Sequence, residues 1–242
     1  MLNNNTFLKK IQDSFRAFIT SGTSRSTAKL KPLHGAIAQD IADRLGNNYI
    51  VKSQGFGDGK EACIKGRYVN KIVDITVRNK ATGEDIAGIA VKFVMQNYSQ
   101  NSNNYFENML GETANIRTAN CPYFQIFIIL DELPYYKSNG ELSKWEEFTS
   151  HNIMKYCLLS HDNTSCFFHT PNKTLIYVVH VSPDAGKHNI HNKADYLNFF
   201  QTHAPKVRLS TNQYPKIKPN GTVILNDYES FTSKVYHTIM AH

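Results

Sequence analysis

Asp74 and Lys92 each stand inside an otherwise apolar run of the chain, in the segments VDI and AVK. The alternation of residue types over positions 68–96 predicts two β-strands, joined by a polar turn that contains Ala81-Thr82-Gly83. A carboxylate or an ammonium group in the middle of a strand is costly to bury unless it is paired or bound to a ligand. The hairpin therefore predicts either an ion pair between Asp74 and Lys92 or a site that binds a charged ligand.

The spacing of apolar residues predicts the elements that position this hairpin. Strands alternate with helices after the hairpin, so we expect an α/β fold with a mixed central β-sheet flanked by helices. We expect one domain over residues 1–242, made of an N-terminal helix and connector (1–28), a core (about 30–181) and a C-terminal extension (182–242) that is a candidate for DNA or dimer contacts. The predicted helices cover residues 5–20, about 32–45, about 104–118, 143–159, a segment containing Tyr196 and Phe199, and about 228–240, and Asn5 or Thr6 is the expected cap of the first. The other predicted strands cover residues 49–53, 123–130 and 175–181. Polar connectors are expected at 21–27 and 97–104.

Composition narrows the classes of function. With 41% hydrophobic and 19% charged residues over 242 positions, the chain has enough apolar residues for a packed core. We expect no membrane-spanning segment and no secretory signal, and four cysteines without a pairing pattern are typical of the reducing cytoplasm. The net charge of +7 favours a polyanionic partner, nucleic acid first, although many basic soluble proteins bind none.

The order of elements and the charged residues of the hairpin resemble the PD-(D/E)XK superfamily, which includes most type II restriction endonucleases. The resemblance covers about residues 30–181 and implies an αβββαβ core, with Asp74 as the first acid. The segment Ala90-Val91-Lys92 corresponds to the (D/E)-x-Lys signature, but Ala90 stands where the second acid is expected. Some members carry that acid on the following helix, and NYFENMLGETANIRTANCPY looks like this arrangement in the EcoRI-like or a related branch.

The resemblance implies Mg²⁺-dependent hydrolysis of phosphodiester bonds in a short, specific site of double-stranded DNA. Asp74 and Glu107 are the expected metal ligands, with Glu112 as the alternative second acid, because Mg²⁺ prefers carboxylate oxygens. Lys92 is expected to orient the attacking water and to stabilise developing negative charge. The resemblance also implies a homodimer, which suits a palindromic site, and a cognate DNA methyltransferase as genetic partner.

Further polar residues are candidates for contacts with DNA. Asparagine suits adenine edges and arginine suits guanine edges, while lysine and arginine contact phosphates. For each residue alone, an ordinary solvated surface is an equal alternative. The candidates for base contacts are Asn104, Asn108, Asn115 and Arg117, and those for phosphate contacts are Lys206, Arg208, Lys216 and Lys218.

Other interpretations remain open at this point. The set Cys157, His161, Cys166 and His169 has ligand types that bind zinc, although its spacing is not that of a standard zinc finger. The segment HNIHN at 188–192 resembles an HNH nuclease only superficially, and GFGDGK lacks the residues of a phosphate-binding P-loop. Ala90 also allows a catalytically inactive DNA-binding protein, and the same core occurs in DNA repair and mobile-element nucleases.

Overall fold

The computed structural model describes residues 1–22 and 27–242, so most of the predicted connector at 21–27 lies outside the described residues. The helices are α1 (Asn4–Ser21), α2 (Lys31–Leu45), α3 (Tyr98–Arg117), α4 (Ser150–Leu159), α5 (Lys193–Thr202) and α6 (Tyr228–Met240), with 3-10 turns at Thr27–Leu30 and Lys187–Asn189. The strands are β1 (Tyr49–Ser53), β2 (Ala62–Ile64), β3 (Lys71–Val73), β4 (Ile75–Asn79), β5 (Asp85–Val94), β6 (Tyr123–Leu130), β7 (Glu132–Tyr136), β8 (Leu142–Glu147), β9 (Lys173–Ser182), β10 (Lys206–Leu209) and β11 (Val223–Leu225).

The main sheet has the strand order β1-β4-β5-β6-β9-β10, and β11 joins it by pairing with β9. The pairs β1–β4, β4–β5 and β9–β10 are antiparallel, whereas β5–β6, β6–β9 and β9–β11 are parallel. This mixed sheet with flanking helices confirms the predicted α/β class. All eight residues of β6 are buried, as expected for a central strand with both faces covered.

Several predicted elements are confirmed within one or two residues, among them α2, β1, β6 and α6. Helix α1 begins at Asn4, and its cap is Asn3, not Asn5 or Thr6. The Asn3 side chain accepts a hydrogen bond from the backbone N–H of Thr6, and the Thr6 hydroxyl accepts one from the backbone of Asn3. This reciprocal pair is a capping box, which fixes the first turn.

Two element predictions outside the hairpin of Asp74 and Lys92 are wrong. The segment NYSQNSNN is not a connector, because α3 begins at Tyr98, whose ring is buried against Phe127 and Phe148. A single buried aromatic residue thus anchors a polar first turn, which periodicity alone does not reveal. The predicted helix over 143–159 is a strand, β8, followed by α4; β8 pairs with β7, and the Glu146 carboxylate on β8 is held by the Ser99 hydroxyl.

The sequence predicted Asp74 in the middle of a strand, and this prediction is wrong. The first strand of the hairpin is divided there: β3 pairs with β2 in a separate two-stranded sheet, and β4 pairs with β1 and β5 in the main sheet. The Ser53 hydroxyl donates a hydrogen bond of 2.7 Å to the backbone carbonyl of Asp74 at this junction. Asp74 therefore marks the corner between the two sheets.

Helix α2, which contributes to the site described below, is anchored by the buried side chain of Asp40. This carboxylate accepts hydrogen bonds from the backbone N–H of Leu2 at 2.7 Å and from the Tyr228 hydroxyl at 3.1 Å, and it pairs with Arg44 at 3.2 Å. These contacts join the N-terminus, α2 and α6, and they compensate the buried charge. In the described part of the chain, no helix has the length and apolar character that crossing a bilayer requires.

Candidate functional site

A cleft of about 440 Å³ opens between β3, β5, β6 and α3. In the register of β4 and β5, Ile75 lies opposite Ile89, so the next position places Asp74 opposite Ala90. On the other side, Ala90 pairs with Gln125 of β6. Asp74, Ala90 and Gln125 therefore form a row across the floor of the cleft. The polar residues that line it are Lys29, Lys71, Asp74, Lys92, Tyr105, Asn108, Glu112, Tyr123 and Gln125.

The Asp74 carboxylate is fixed by the backbone of β5. Its Oδ2 atom accepts a hydrogen bond of 2.7 Å from the N–H of Val91. None of the ion pairs among the described residues joins Asp74 to Lys92, so the predicted alternative of an ion pair across the hairpin is not formed. Both residues instead line the same cleft.

Glu61 meets Asp74 because the two residues flank one short hairpin. In the register of β2 and β3, Ala62 lies opposite Val73, which places Glu61 opposite Asp74. The sequence reasoning did not propose Glu61 as a site residue. A signal was present, since EACI and KIVD place one acid just outside each strand of a hairpin.

His34, on α2, lies close to Glu61 and Asp74. The helix approaches the loop before β2 so closely that a Cβ atom on Gly35 would lie 2.4 Å from the carbonyl oxygen of Gly55. One ligand atom each from His34, Glu61 and Asp74 lies within 4.8 Å of the others. In residues 1–22 and 27–242, this is the one group of three or more such residues with atoms close enough to share a metal ion. Sequence reasoning missed His34 as well.

The cluster of His34, Glu61 and Asp74, called the triad below, is partly shielded from water. Burial lowers the pKa of His34, and the negative charge of Asp74 acts in the opposite direction. Burial also raises the pKa of Glu61, and the Asp74 carboxylate adds to this rise. Two half-buried carboxylates without a cation between them repel each other, and a bound cation would remove that repulsion.

The two glutamates expected on α3 lie in other surroundings. Glu107 is exposed and does not line the cleft. Glu112 lines the cleft, but its carboxylate pairs with Lys71 at 2.5 Å. Neither belongs to the triad. The carboxylate that lies close to Asp74 is thus that of Glu61, in the loop before β2, because the hairpin of β2 and β3 places Glu61 opposite Asp74.

Three lysines supply positive charge to the cleft. Lys92 is exposed on the same face of β5 as Ala90, and its ammonium lies 4.8 Å from the ring centroid of Tyr105. Lys71 faces Glu112 on the opposite wall. Burial and the nearby charge of Lys92 lower the pKa of Lys29 to about 8. The cleft can therefore receive an anion such as a phosphodiester.

Gln125 is a further residue of the cleft that sequence reasoning missed. Its side chain is 6% exposed, and among the described residues its Nε2 atom has no hydrogen-bond partner. Buried amide groups are usually paired. The position beside Ala90 leaves this N–H group available to an oxygen atom of a bound molecule.

The four candidates for base contacts on α3 divide into two kinds. Asn104 and Asn108 are exposed, and Asn108 lines the cleft. Asn115 is instead buried, and it hydrogen-bonds the backbone of Tyr68 and Val69 in the β2–β3 turn.

Arg117 likewise serves the chain itself. Its guanidinium donates hydrogen bonds to the backbone carbonyls of Thr164, Phe167 and Thr170. Asn115 and Arg117 therefore hold loops of the chain itself, and a contact of either residue with DNA stays a prediction.

The remaining candidates lie away from the cleft. Lys206 and Arg208 are exposed on β10, at the opposite side of the sheet from β1, and β6 and β9 separate that strand from β5. The zinc interpretation is not supported: His161 Nδ1 hydrogen-bonds the carbonyl of Cys157, and these residues form no ligand group in the described structure. The first two residues of the segment HNIHN lie in the 3-10 turn before α5, and Asn192 caps that helix.

Comparison of the chain with models of known protein families, with curated proteins and with solved structures found no match. The function must therefore be argued from the geometry of the site, since a fold alone does not define an activity.

Proposed function

We propose that this protein is a type II restriction endonuclease that hydrolyses phosphodiester bonds in a specific short sequence of double-stranded DNA and depends on Mg²⁺ or a similar divalent cation. The observation that supports this most is the shared cleft of Asp74 and Lys92, with Glu61 as a second carboxylate next to Asp74. This combination places the Asp74 carboxylate and the exposed ammonium group of Lys92 in one cleft, with the Glu61 carboxylate close to Asp74. It is also what the resemblance to the PD-(D/E)XK superfamily implies, with the acid missing at Ala90 supplied by Glu61.

In the proposed reaction, Asp74 and Glu61 would hold the cation, and the Val91 N–H keeps the Asp74 carboxylate in a fixed orientation. A bound divalent cation would neutralise phosphate charge and make water a stronger nucleophile. Lys92 orients the attacking water and donates to the oxygen atoms that gain negative charge in the transition state. The Nε2 atom of Gln125, which has no hydrogen-bond partner among the described residues, donates to a phosphate oxygen.

The surroundings of the cleft agree with DNA as the substrate. Lys29 and Lys92 add positive charge near the cleft floor, and the chain as a whole carries +7. Asn108 lies at the exposed edge, where base contacts are made, with Asn104 on the same helix. Lys206 and Arg208 contact phosphates farther along the duplex. We further propose a homodimer in the cytoplasm, where the four free cysteines stay reduced, with a DNA methyltransferase encoded alongside as genetic partner.

A comparison of single glutamate variants tests the assignment of the second acid. Glu61→Gln should lower the cleavage rate by at least about 100-fold, because it removes a negative charge from the cation site. Glu107→Gln is the control and should cut DNA at the wild-type rate, since that residue is exposed outside the cleft. Initial rates on a plasmid with a single site provide the measurement. A fully active Glu61→Gln protein would remove Glu61 from the mechanism.

The activity itself is tested by incubating plasmid DNA with the purified protein, with and without Mg²⁺. Discrete, reproducible fragments that appear only with the cation are expected. A smear would favour a non-specific nuclease, such as one of DNA repair or of a mobile element. Tight DNA binding without cleavage under any divalent cation would favour an inactive DNA-binding protein, the alternative that Ala90 motivates.

A further inference from the structure

His34 is a buried histidine with two unused ring nitrogens. It is 2% exposed, and among the residues that the structure describes neither nitrogen has a hydrogen-bond partner. Leaving a buried polar group unpaired costs about 1–3 kcal/mol, so such groups are rare. An ordinary core histidine satisfies at least one nitrogen with a carbonyl or a hydroxyl group. A ligand that binds from outside the chain would remove this cost.

The carboxylates of Glu61 and Asp74 lie close to the ring of His34. One ligand atom from each of the three residues lies within 4.8 Å of the others. Atoms that bind one cation each lie about 2.1 Å from it and therefore about 3–4 Å from one another. Side-chain movements of about 1 Å would complete such a site, with the Asp74 Oδ2 atom still held by the backbone N–H of Val91.

The backbone around the triad is shaped for close approach. A Cβ atom on Gly55 would lie 2.4 Å from the carbonyl oxygen of Lys31, just as one on Gly35 would meet Gly55. The positive φ angle of +79° at Gly55 also favours glycine. This contact brings the first turn of α2, and with it His34, against the loop that leads to Glu61.

We infer that His34, Glu61 and Asp74 bind one divalent cation of the first transition series, such as Mn²⁺, in preference to Mg²⁺ or Ca²⁺. Imidazole nitrogen suits transition metals, whereas Mg²⁺ and Ca²⁺ prefer oxygen ligands throughout. The inference rests on the proposed function, because both place the cation that hydrolysis needs at Asp74. It concerns which cation binds there and not which bond is cut.

A half-buried histidine on β9 provides a contrast. His180 lies near Asp131 and Asp184, but its Nδ1 atom is 3.1 Å from Asp131 and its Nε2 atom is 3.0 Å from Asp184. Lys187 pairs with Asp184 at 2.7 Å and compensates that charge. Both nitrogens are thus used, and an ammonium already fills the role of a cation. The unsatisfied ring of His34 is what distinguishes the triad.

Electron paramagnetic resonance of the full-length protein in Mn²⁺ tests the inference without DNA. We expect one Mn²⁺ per chain, displaced by Mg²⁺ only at concentrations at least about 10-fold higher. Pulsed measurements on the same sample should show coupling of the bound Mn²⁺ to a ¹⁴N nucleus of imidazole. Displacement of Mn²⁺ by an equal concentration of Mg²⁺ would overturn the inference, and so would bound Mn²⁺ that shows no ¹⁴N coupling. Both measurements use the wild-type protein, so neither depends on the folding of a variant.

The variant His34→Gln supplies an amide oxygen in place of the nitrogen. The substitution should lower the affinity for Mn²⁺ by at least about 10-fold and change the affinity for Mg²⁺ much less. A loss of about 10-fold is what substitution of residues that only contact metal ligands already produces. His151→Gln, at an exposed position on α4, is the control and should bind Mn²⁺ as the wild type does. Unchanged preference for Mn²⁺ in a folded His34→Gln protein would contradict the role of His34.

The two proposals fail in different ways. Nitrogen-coupled Mn²⁺ binding by a protein that cuts no DNA would support the metal site and refute the nuclease. Specific cleavage with Mg²⁺, combined with the absence of ¹⁴N coupling, would support the nuclease and refute the role of His34.

Discussion

Replacing Lys92 with alanine is expected to lower the rate of DNA cleavage by about 10³-fold. The ammonium group lies on the exposed face of β5 beside Ala90, in the same cleft as Asp74. Positioned groups that stabilise developing charge or assist proton transfer contribute about 10²–10⁴-fold to reaction rates. Single-turnover cleavage of a DNA duplex, with protein in excess, measures this step apart from product release.

The expected effect is confined to the chemical step. Lys92 is exposed and contacts the Tyr105 ring, so its removal should leave the melting temperature within a few degrees of wild type. Binding of Mn²⁺ should also be retained, because Lys92 is not part of the triad. Lys80→Ala, at an exposed position next to the hairpin turn, is the matched control for loss of one positive charge. Cleavage by Lys92→Ala at the rate of Lys80→Ala would remove Lys92 from the reaction.

Asp74→Asn is expected to abolish cleavage by a different route. The amide oxygen can still accept the hydrogen bond from Val91, so the corner between the two sheets should keep its geometry. The site loses one of its two negative charges, and we expect the affinity for a divalent cation to fall by about 100-fold, or about 2.7 kcal/mol. Calorimetric titration with Mn²⁺ and the plasmid assay measure the two consequences.

Asp43→Asn is the control for this substitution, because Asp43 is an exposed residue of α2 outside the cleft. It should bind Mn²⁺ and cut DNA as the wild type does. Wild-type metal affinity in a folded Asp74→Asn protein would show that the cation does not bind at this carboxylate, and both the nuclease mechanism and the triad would then need another centre.

The sequence predicts much of the sheet because the apolar runs of its central strands are long. The eight buried residues of β6 and the helical stripe of α2 are determined by local patterns. Local patterns do not determine the division of the strand at Asp74. The alternation of residue types continues unchanged from β3 into β4, while the strand with which each pairs changes. Local pattern determines that a segment is extended, and tertiary pairing determines which sheet it joins.

The residues of the candidate site also divide into those that local sequence patterns predict and those that depend on tertiary contacts. Asp74 and Lys92 are conspicuous as charges among apolar neighbours, and the structure does bring them to one cleft. Glu61 and His34 are inconspicuous, because their positions depend on a hairpin register and on a contact between two glycines. The loop contacts of Arg117 could not be predicted, since a polar helix face has the same sequence pattern whether it meets solvent or the carbonyls of another loop.

The contact between Gly35 and Gly55 has a consequence for how a saturation mutagenesis screen of this chain would be interpreted. Any side chain at either position would overlap a backbone atom at 2.4 Å, so these positions would tolerate no substitution in a screen for DNA cleavage. Neither glycine has a group that takes part in chemistry. In such a map both would be as intolerant as Asp74, and only a separate measurement of protein abundance or metal content would distinguish the residues that react from those that let the backbone segments meet.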